Sequence, residues 1–141
     1  MATMKGTYQC KNPQKYIGDP TKIRIMSSWE LRVFLWMDEN PSVIKWSSEP
    51  VSIPYLKPTD KKIHKYYPDI YAEIKDQEGN IKKYMLEIKP SKEAVLKPKS
   101  NAYDKLSIMI NQAKWFAANQ VCLKNGIIFK VLTEQDLFLK K

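Results

Sequence analysis

The sequence predicts an α/β fold in which a small mixed sheet is flanked by helices. Residues 28–39 and 102–125 carry apolar side chains at helical spacing between recognisable end signals. Residues 66–75 and 81–89 are two strand-like runs separated by a turn, and the short apolar run 127–133 predicts a further strand. With one more strand expected after the first helix, the order is helix, strand, strand, strand, helix, strand, which is typical of helices packed on a small sheet.

The first residues of the chain are expected to form an arm. Residues 1–22 are polar, contain Pro13 and the turn-forming Gly18-Asp19-Pro20, and have few apolar side chains to anchor them. We therefore predict an N-terminal arm over residues 1–22, laid over one domain formed by residues 23–141.

A helix, a strand and a basic loop are predicted next. Ser27 and Ser28 are candidate N-caps of the first helix, and Asn40-Pro41 ends it. Residues 42–56 alternate well enough to predict one bent strand, broken at its two internal prolines. Residues 57–65 are rich in lysine and predict a loop.

The centre of the chain predicts a hairpin. Gly79-Asn80 is a turn signal between the runs 66–75 and 81–89, so these runs are expected to pair antiparallel. Residues 90–101, rich in proline and lysine, predict a loop after the second strand.

The C-terminal part predicts a long helix and an interior strand. Gly126 is the expected stop of the helix 102–125, and the mainly apolar run 127–133 predicts a strand inside the sheet. The helix stripe expected to face the core consists of Leu106, Ile110, Ala113, Ala117 and Val121.

Composition favours one globular domain that binds a polyanion. The chain has 141 residues, of which 43% are hydrophobic and 28% charged, as in folded proteins. Its formal net charge of +9 favours a polyanionic partner, most commonly nucleic acid. Two distant cysteines and one histidine argue against a zinc site or a disulfide framework. We find no signal for secretion or for a membrane span, and expect an intracellular protein.

The tripeptide Glu-Ile-Lys occurs twice, and hairpin geometry separates the two copies. Asp69, the first carboxylate of the hairpin, lies about 13 Å along the strand from Glu73, so these two cannot bind one metal ion. Folding the hairpin at its turn places Asp69 opposite Glu87 to Lys89, on strands about 5 Å apart. Glu87 and Lys89 project to one face of their strand. The second copy, Glu87-Ile88-Lys89, is therefore the candidate metal site together with Asp69. A cross-strand salt bridge between Lys89 and Asp69 is an alternative interpretation.

A third carboxylate comes from the first helix. Glu30 stands among bulky apolar neighbours in the first turn, from which a carboxylate can face a site over the sheet. Ser27 and Glu30 also form a capping box, which by itself is the simpler interpretation. The two roles are compatible.

Basic side chains near the hairpin are candidates for contacts to nucleic-acid phosphates. They lie in the two loops that flank the strands carrying Asp69 and Glu87, and on the long helix; a solvated lysine surface is the alternative. These candidates are Lys61, Lys62, Lys65, Lys92, Lys97, Lys99 and Lys114.

The spacing Asp69 … Glu87-Ile88-Lys89, preceded by a helix with Glu30, resembles the PD-(D/E)xK nuclease superfamily. The quoted segments "KYIGDPTKIRIMSSWELRVFLWMDENP", "YYPDIY", "LEIKP", "NQAKWFAA" and "GIIFKVLTEQDL" are similar to the head completion nucleases of T-even-like tailed phages. They are also similar, more distantly, to the end-cleaving endonuclease subunit of certain bacterial transposons. The resemblance runs from about residue 7 to residue 138.

The resemblance implies a restriction-endonuclease-like αβββαβ core and Mg²⁺-dependent cleavage of double-stranded DNA, with Mn²⁺ expected to substitute. It implies catalytic roles for Glu30, Asp69, Glu87 and Lys89. The expected metal ligands are Asp69, Glu87, the carbonyl of Ile88, and Glu30 directly or through water, while Lys89 orients the attacking water.

The implied biological setting is completion of phage heads after DNA packaging. The expected partners are DNA and portal or neck proteins, in the host cytoplasm or within the virion. The alternatives are a non-catalytic DNA-binding connector protein of the head and, less favoured because no glycine-rich RNA motif is present, an RNA-binding domain.

Overall fold

The computed structural model describes residues 3–95 and 97–138. Within these residues, the chain forms three α-helices and eight strands. The helices are α1 (Ser28–Glu39), α2 (Ala102–Lys124) and α3 (Glu134–Phe138). The strands are β1 (Thr3–Tyr8), β2 (Ile23–Ser27), β3 (Val43–Ser48), β4 (Ile53–Leu56), β5 (Ile63–Tyr66), β6 (Ile70–Lys75), β7 (Ile81–Ile88) and β8 (Ile127–Leu132).

The central sheet has four strands in the order β3-β6-β7-β8. β6 pairs antiparallel with both β3 and β7, whereas β8 runs parallel to β7 after the crossover through α2. With α1 before this sheet, the predicted αβββαβ core and the α/β, restriction-endonuclease-like fold class are confirmed. The expectation that β8 is an interior strand is wrong: it forms an edge, and Ile128 is 44% exposed.

One face of this sheet carries the main hydrophobic core. Trp46 on β3, with Ile70 and Ala72 on β6, is fully buried against Phe34 and Met37 of α1. Burying such side chains is the largest favourable contribution to folding, at roughly 2 kcal/mol for each large apolar group. This packing fixes α1, and therefore its first turn, over the sheet.

The N-terminal segment pairs with the rest of the chain. β1 and β2 form an antiparallel pair, and the buried Tyr8 donates a hydrogen bond to the fully buried Asp38 of α1. Asp38 also accepts hydrogen bonds from the backbone N–H groups of Lys11 and Asn12. The segment before residue 23 is therefore held to α1 by one buried carboxylate. The division of the chain at residue 22 stays a prediction.

The strand expected over 42–56 is two strands in different sheets, so that prediction is wrong. β3 ends at Ser48, and β4 pairs with β5 in a separate antiparallel hairpin. Pro50 lies between them, but Pro54 lies within β4 and interrupts nothing, because a two-stranded hairpin has free edges where a missing N–H is tolerated. The loop expected over 57–65 is shorter than predicted, because β5 begins at Ile63.

The long helix α2 packs on the β4–β5 hairpin and on β8. Its buried side chains are Ile108, Asn111, Ala118 and Cys122, and Gly126 ends the helix with a positive φ of 67°. The predicted stripe is only partly right: Ile110, Ala113 and Ala117 are partly buried against the hairpin, but Leu106 and Val121 are exposed. Apolar side chains stand on several faces of this helix, so their spacing does not single out the inner face. Within the described residues, none of the helices has the length and apolar character needed to cross a bilayer.

Candidate active site

A small cavity of about 150 Å³ lies where β2, α1, β6 and β7 meet. It brings together the four predicted catalytic side chains and Ile88, although these come from three separate parts of the chain. Its lining residues are Met26, Ser27, Glu30, Asp69, Glu87, Ile88 and Lys89.

Strand register places Asp69 beside Glu87. Ile70 pairs with Leu86 in the antiparallel β6–β7 ladder, so the next position outward sets Asp69 opposite Glu87. Asp69 Oδ2 accepts a hydrogen bond of 2.7 Å from the backbone N–H of Ile88. The carbonyl of Asp69 in turn accepts from Glu49 N at 2.9 Å, so both ends of this residue are fixed.

Glu87 is almost fully buried and is held from two sides. The hydroxyl of Tyr66, on β5, donates to Glu87 Oε1 at 2.8 Å. Lys89 Nζ lies 3.8 Å from Glu87 Oε2. The salt bridge from Lys89 is therefore made to Glu87 on its own strand, rather than across to Asp69 as the alternative interpretation supposed.

The two carboxylates share a desolvated environment. Burial raises the pKa of Asp69 well above its usual value, and the neighbouring charge of Glu87 raises it further. Burial likewise raises the pKa of Glu87, against the opposing effect of Lys89. Two buried carboxylates in contact favour either a shared proton or a cation between them.

Glu30 reaches the cavity from the first turn of α1, where the Ser27 half of the predicted capping box forms. Its backbone N–H donates to Ser27 Oγ at 3.1 Å, as predicted for the N-cap, and its Oε1 accepts from Met26 N at 2.8 Å. Burial raises the pKa of Glu30, and the charge of Asp69 adds to this. Over residues 3–95 and 97–138, no three Asp, Glu, His or Cys side chains converge as a ready metal cluster. Glu30 therefore lines the site without joining the Asp69–Glu87 pair.

The first Glu-Ile-Lys copy lies elsewhere. Glu73 pairs with Lys83 in the β6–β7 ladder, toward the hairpin turn, and accepts a hydrogen bond of 2.8 Å from Tyr71. It takes no part in the cavity. A wider, open cleft of about 710 Å³ includes Tyr71, Glu49 and Lys83, but none of the predicted catalytic side chains.

Comparison with known proteins relates the chain to endonucleases. Residues 40–134 match the family described as TnsA-like endonuclease N terminal. The chain belongs to this TnsA-like endonuclease family. It is also 38% identical over 142 aligned positions to the head completion nuclease of Enterobacteria phage T4, covering 94% of this chain and 92% of the phage protein. The predicted relation to phage head completion nucleases and to transposon endonucleases is confirmed, and a nuclease role for the chain is supported.

The family match covers only part of the site of this TnsA-like chain. Asp69, Glu87 and Lys89 lie within the matched residues 40–134, whereas Glu30 lies before them. The similarity to the phage protein extends over nearly the whole chain. The catalytic assignment of each of these side chains stays a prediction.

The seven candidate lysines of the TnsA-like chain differ in their relation to the cavity. Lys61 and Lys62 are exposed at the β4–β5 turn, and Lys92, Lys97 and Lys99 are exposed between β7 and α2. Lys65 is exposed on β5 and alternates with the buried Tyr66, so it projects away from Glu87. Lys114 alone among the seven is half-buried.

The sequence reasoning missed two tyrosines that shape the site. Tyr66 holds Glu87, and both Tyr55 and Tyr66 lie beneath the ammonium group of Lys114, at 5.9 and 5.8 Å from the ring centroids. Both belong to the β4–β5 hairpin. The sequence predicts Tyr66 as the first residue of the strand 66–75, whereas it ends β5, and β6 begins only at Ile70. That spacing does not place Tyr66 next to Glu87.

The donor set fits a hard divalent cation. Asp69 and Glu87 supply carboxylate oxygens, which Mg²⁺ prefers, and their raised pKa values show the cost of holding two buried carboxylates without a compensating charge. The N–H of Ile88 points to Asp69, and the N–H and carbonyl of one strand residue face the same neighbouring strand. The carbonyl of Ile88 is thus a third oxygen on the same side.

Proposed function

We propose that this chain is a Mg²⁺-dependent endonuclease that hydrolyses phosphodiester bonds of double-stranded DNA. The observation that carries the proposal is the Asp69–Glu87 pair with Lys89 beside it, in one cavity of a chain that belongs to the TnsA-like endonuclease family. Carboxylates that converge next to a lysine suit the charge distribution of phosphodiester cleavage.

Asp69, Glu87 and the carbonyl of Ile88 would hold the cation, with Glu30 reaching it directly or through water. Mn²⁺ offers the same preference for oxygen ligands and is expected to substitute. When bound, Mg²⁺ lowers the pKa of a coordinated water and polarises the phosphodiester.

The chain's own side chains supply positioning and charge. Lys89 Nζ, 3.8 Å from Glu87 Oε2, is placed to orient the attacking water and to stabilise negative charge that develops on the phosphoryl oxygens. The Tyr66 hydroxyl fixes the rotamer of Glu87. Glu87 is buried and Asp69 is partly buried, which limits access of bulk water and strengthens each of these electrostatic interactions.

DNA is expected to contact lysines around the cavity. The formal net charge of +9 favours a polyanion. Five exposed lysines lie at the β4–β5 turn and between β7 and α2: Lys61, Lys62, Lys92, Lys97 and Lys99. Lys65 is the weakest of the seven candidates, because it projects away from Glu87. If binding is through phosphate contacts, the affinity for DNA falls steeply as the salt concentration rises and varies little with DNA sequence.

The similarity to the T4 protein suggests the biological setting. We extend the role in that protein's name to this chain, and propose action on phage heads after DNA packaging, in the host cytoplasm or within the virion. Portal or neck proteins are the proposed partners. The rival proposal, a connector that binds DNA without cutting it, predicts the same DNA affinity and no cleavage.

Incubation of the purified protein with supercoiled plasmid separates the two. With Mg²⁺ we expect nicked and linear products, and with excess chelator none. Retention of supercoiled DNA in both conditions, with DNA binding intact, would favour the connector.

A further inference from the structure

Lys114 occupies an unusual place for a lysine of a surface helix. Its ammonium group sits over the rings of Tyr55 and Tyr66, 5.9 and 5.8 Å from their centroids. The faces of aromatic rings attract cations, and the two rings therefore hold this side chain in one direction. Since Tyr66 also donates to Glu87, the ammonium group is held next to the cavity.

The charges around Lys114 call for an anion. Burial lowers the pKa of Lys114, and the positive charge of Lys89 lowers it further. The charge of Glu87 opposes this, and Lys57 lowers the pKa by more than Asp69 raises it. Among the described residues, no carboxylate lies within 4.0 Å of its ammonium group. A half-buried cation beside two other cations is costly unless an anion binds to it.

Lys57 belongs to the same surface. It directly follows β4 and lies two residues after Tyr55, so strand alternation sends both side chains to the face on which Lys114 rests. Its backbone is fixed, because Lys57 N donates to Lys62 O at 2.9 Å and Lys57 O accepts from Lys61 N at 2.8 Å. Lys57 and Lys114 thus approach one place from the hairpin and from α2.

We propose that Lys57 and Lys114, above the rings of Tyr55 and Tyr66, form a subsite for one DNA backbone phosphate next to the phosphate that is cleaved. The subsite rests on the proposed function for its substrate, but it is distinct from the Asp69–Glu87 pair. The subsite contacts a phosphate that does not react, so it sets the position of the DNA strand over the cavity.

The test is the salt dependence of DNA binding without cleavage. A short labelled duplex is titrated by fluorescence anisotropy in the presence of chelator, between about 50 and about 200 mM salt. Loss of one phosphate contact reduces the slope of log affinity against log salt by about 0.9 and weakens binding roughly tenfold. We expect this for Lys114→Met and for Lys57→Met, whereas Lys114→Arg retains the wild-type slope because arginine also binds phosphate.

Lys105→Met is the matched control. Lys105 is exposed on the same helix and loses the same charge, so long-range attraction to DNA changes equally. A wild-type slope for both Lys114→Met and Lys57→Met, or an equal loss in the control, overturns the subsite. Thermal melts verify that each variant folds. If Lys114→Met does not fold, Lys57→Met alone tests the subsite.

The plasmid assay reports separately on the proposed function. If wild type never nicks plasmid but the variants show the expected change of slope, the phosphate contact of Lys57 and Lys114 stands and the nuclease proposal is lost. If wild type nicks plasmid and both lysine variants keep the wild-type salt slope of DNA affinity, the nuclease proposal stands and the subsite is lost.

Discussion

Asp69 stands opposite Glu87 one position beyond the last pair of the β6–β7 ladder, and its carboxylate accepts the N–H of Ile88 at 2.7 Å. The relationship follows from the hairpin turn, where Asp76 accepts from the N–H groups of Glu78 and Asn80 and fixes the register. A slip of one residue would send Glu87 to the other face of the sheet. The turn therefore decides that Glu87, rather than its neighbours on β7, stands opposite Asp69.

Lys89→Ala is expected to lower plasmid nicking by at least about a hundredfold, because the charge next to the reacting phosphate is lost. DNA affinity should fall only about as far as one phosphate contact allows. The measurement is the initial rate of nicking with Mg²⁺, together with affinity in chelator. Lys75→Ala, in the first Glu-Ile-Lys copy, is the matched control and should nick like wild type. Equal rates for Lys89→Ala and wild type would remove Lys89 from the site.

Asp69→Asn is expected to stabilise the metal-free protein while abolishing its response to Mg²⁺. The raised pKa of Asp69 means that its ionised form is disfavoured in the fold, so a neutral isostere relieves this cost at neutral pH. We expect a gain of about 1 kcal/mol, or about 3 °C in Tm. The amide oxygen can still accept from Ile88 N.

Thermal melts with and without Mg²⁺ measure both effects. At a Mg²⁺ concentration about 100 times Kd, wild type gains about 2.7 kcal/mol, whereas Asp69→Asn gains almost nothing. Glu73→Gln is the control, and its Tm should rise with Mg²⁺ as in wild type. An undiminished Mg²⁺ response in Asp69→Asn would contradict the assigned metal ligand.

The parts of the fold that the sequence predicts are those with local signals. Ser27 as N-cap, the turn at Gly79 and the stop at Gly126 are each set by neighbouring residues, and the structure has each of them. The Asp69–Glu87 pairing was also predictable, because the length of a hairpin fixes which residues face each other.

The parts that were missed depend on tertiary packing. β4 and β5 are four residues each and stand in a lysine- and proline-rich segment, and they are stabilised by α2 rather than by their own pattern. The buried face of α2 is likewise chosen by what packs on it. Tyr66 reaches Glu87, and Lys114 reaches the ring of Tyr66, only through that packing, so no spacing in the sequence could place them there.

Tyr66→Phe is expected to weaken Mg²⁺ binding about 10- to 100-fold, since a residue that orients a metal ligand is lost. Stability should fall by about 1 kcal/mol, the usual cost of one hydrogen bond. The Tm shift as a function of Mg²⁺ concentration measures the affinity. Tyr71→Phe removes the corresponding bond to Glu73 and should leave that affinity unchanged. Identical Mg²⁺ titrations for the two variants would show that Tyr66 does not position Glu87.

Asp38→Asn is expected to destabilise the protein strongly at neutral pH and much less in acid. Burial opposes ionisation of Asp38, but hydrogen bonds from Tyr8, Lys11 N and Asn12 N outweigh it and lower the pKa below 3.8. A carboxylate with a lowered folded pKa stabilises the fold above its unfolded pKa, and this contribution is lost as pH falls through the folded value.

The stability difference between wild type and Asp38→Asn should therefore be about 2–4 kcal/mol near pH 7 and shrink below about pH 4. Urea unfolding of both proteins across this range measures the difference. Glu39→Gln, which breaks an exposed salt bridge to Lys11 on the same part of α1, should change stability little at any pH. A difference for Asp38→Asn that stays constant from neutral pH into acid would show that the Asp38 charge does not hold the N-terminal segment on α1.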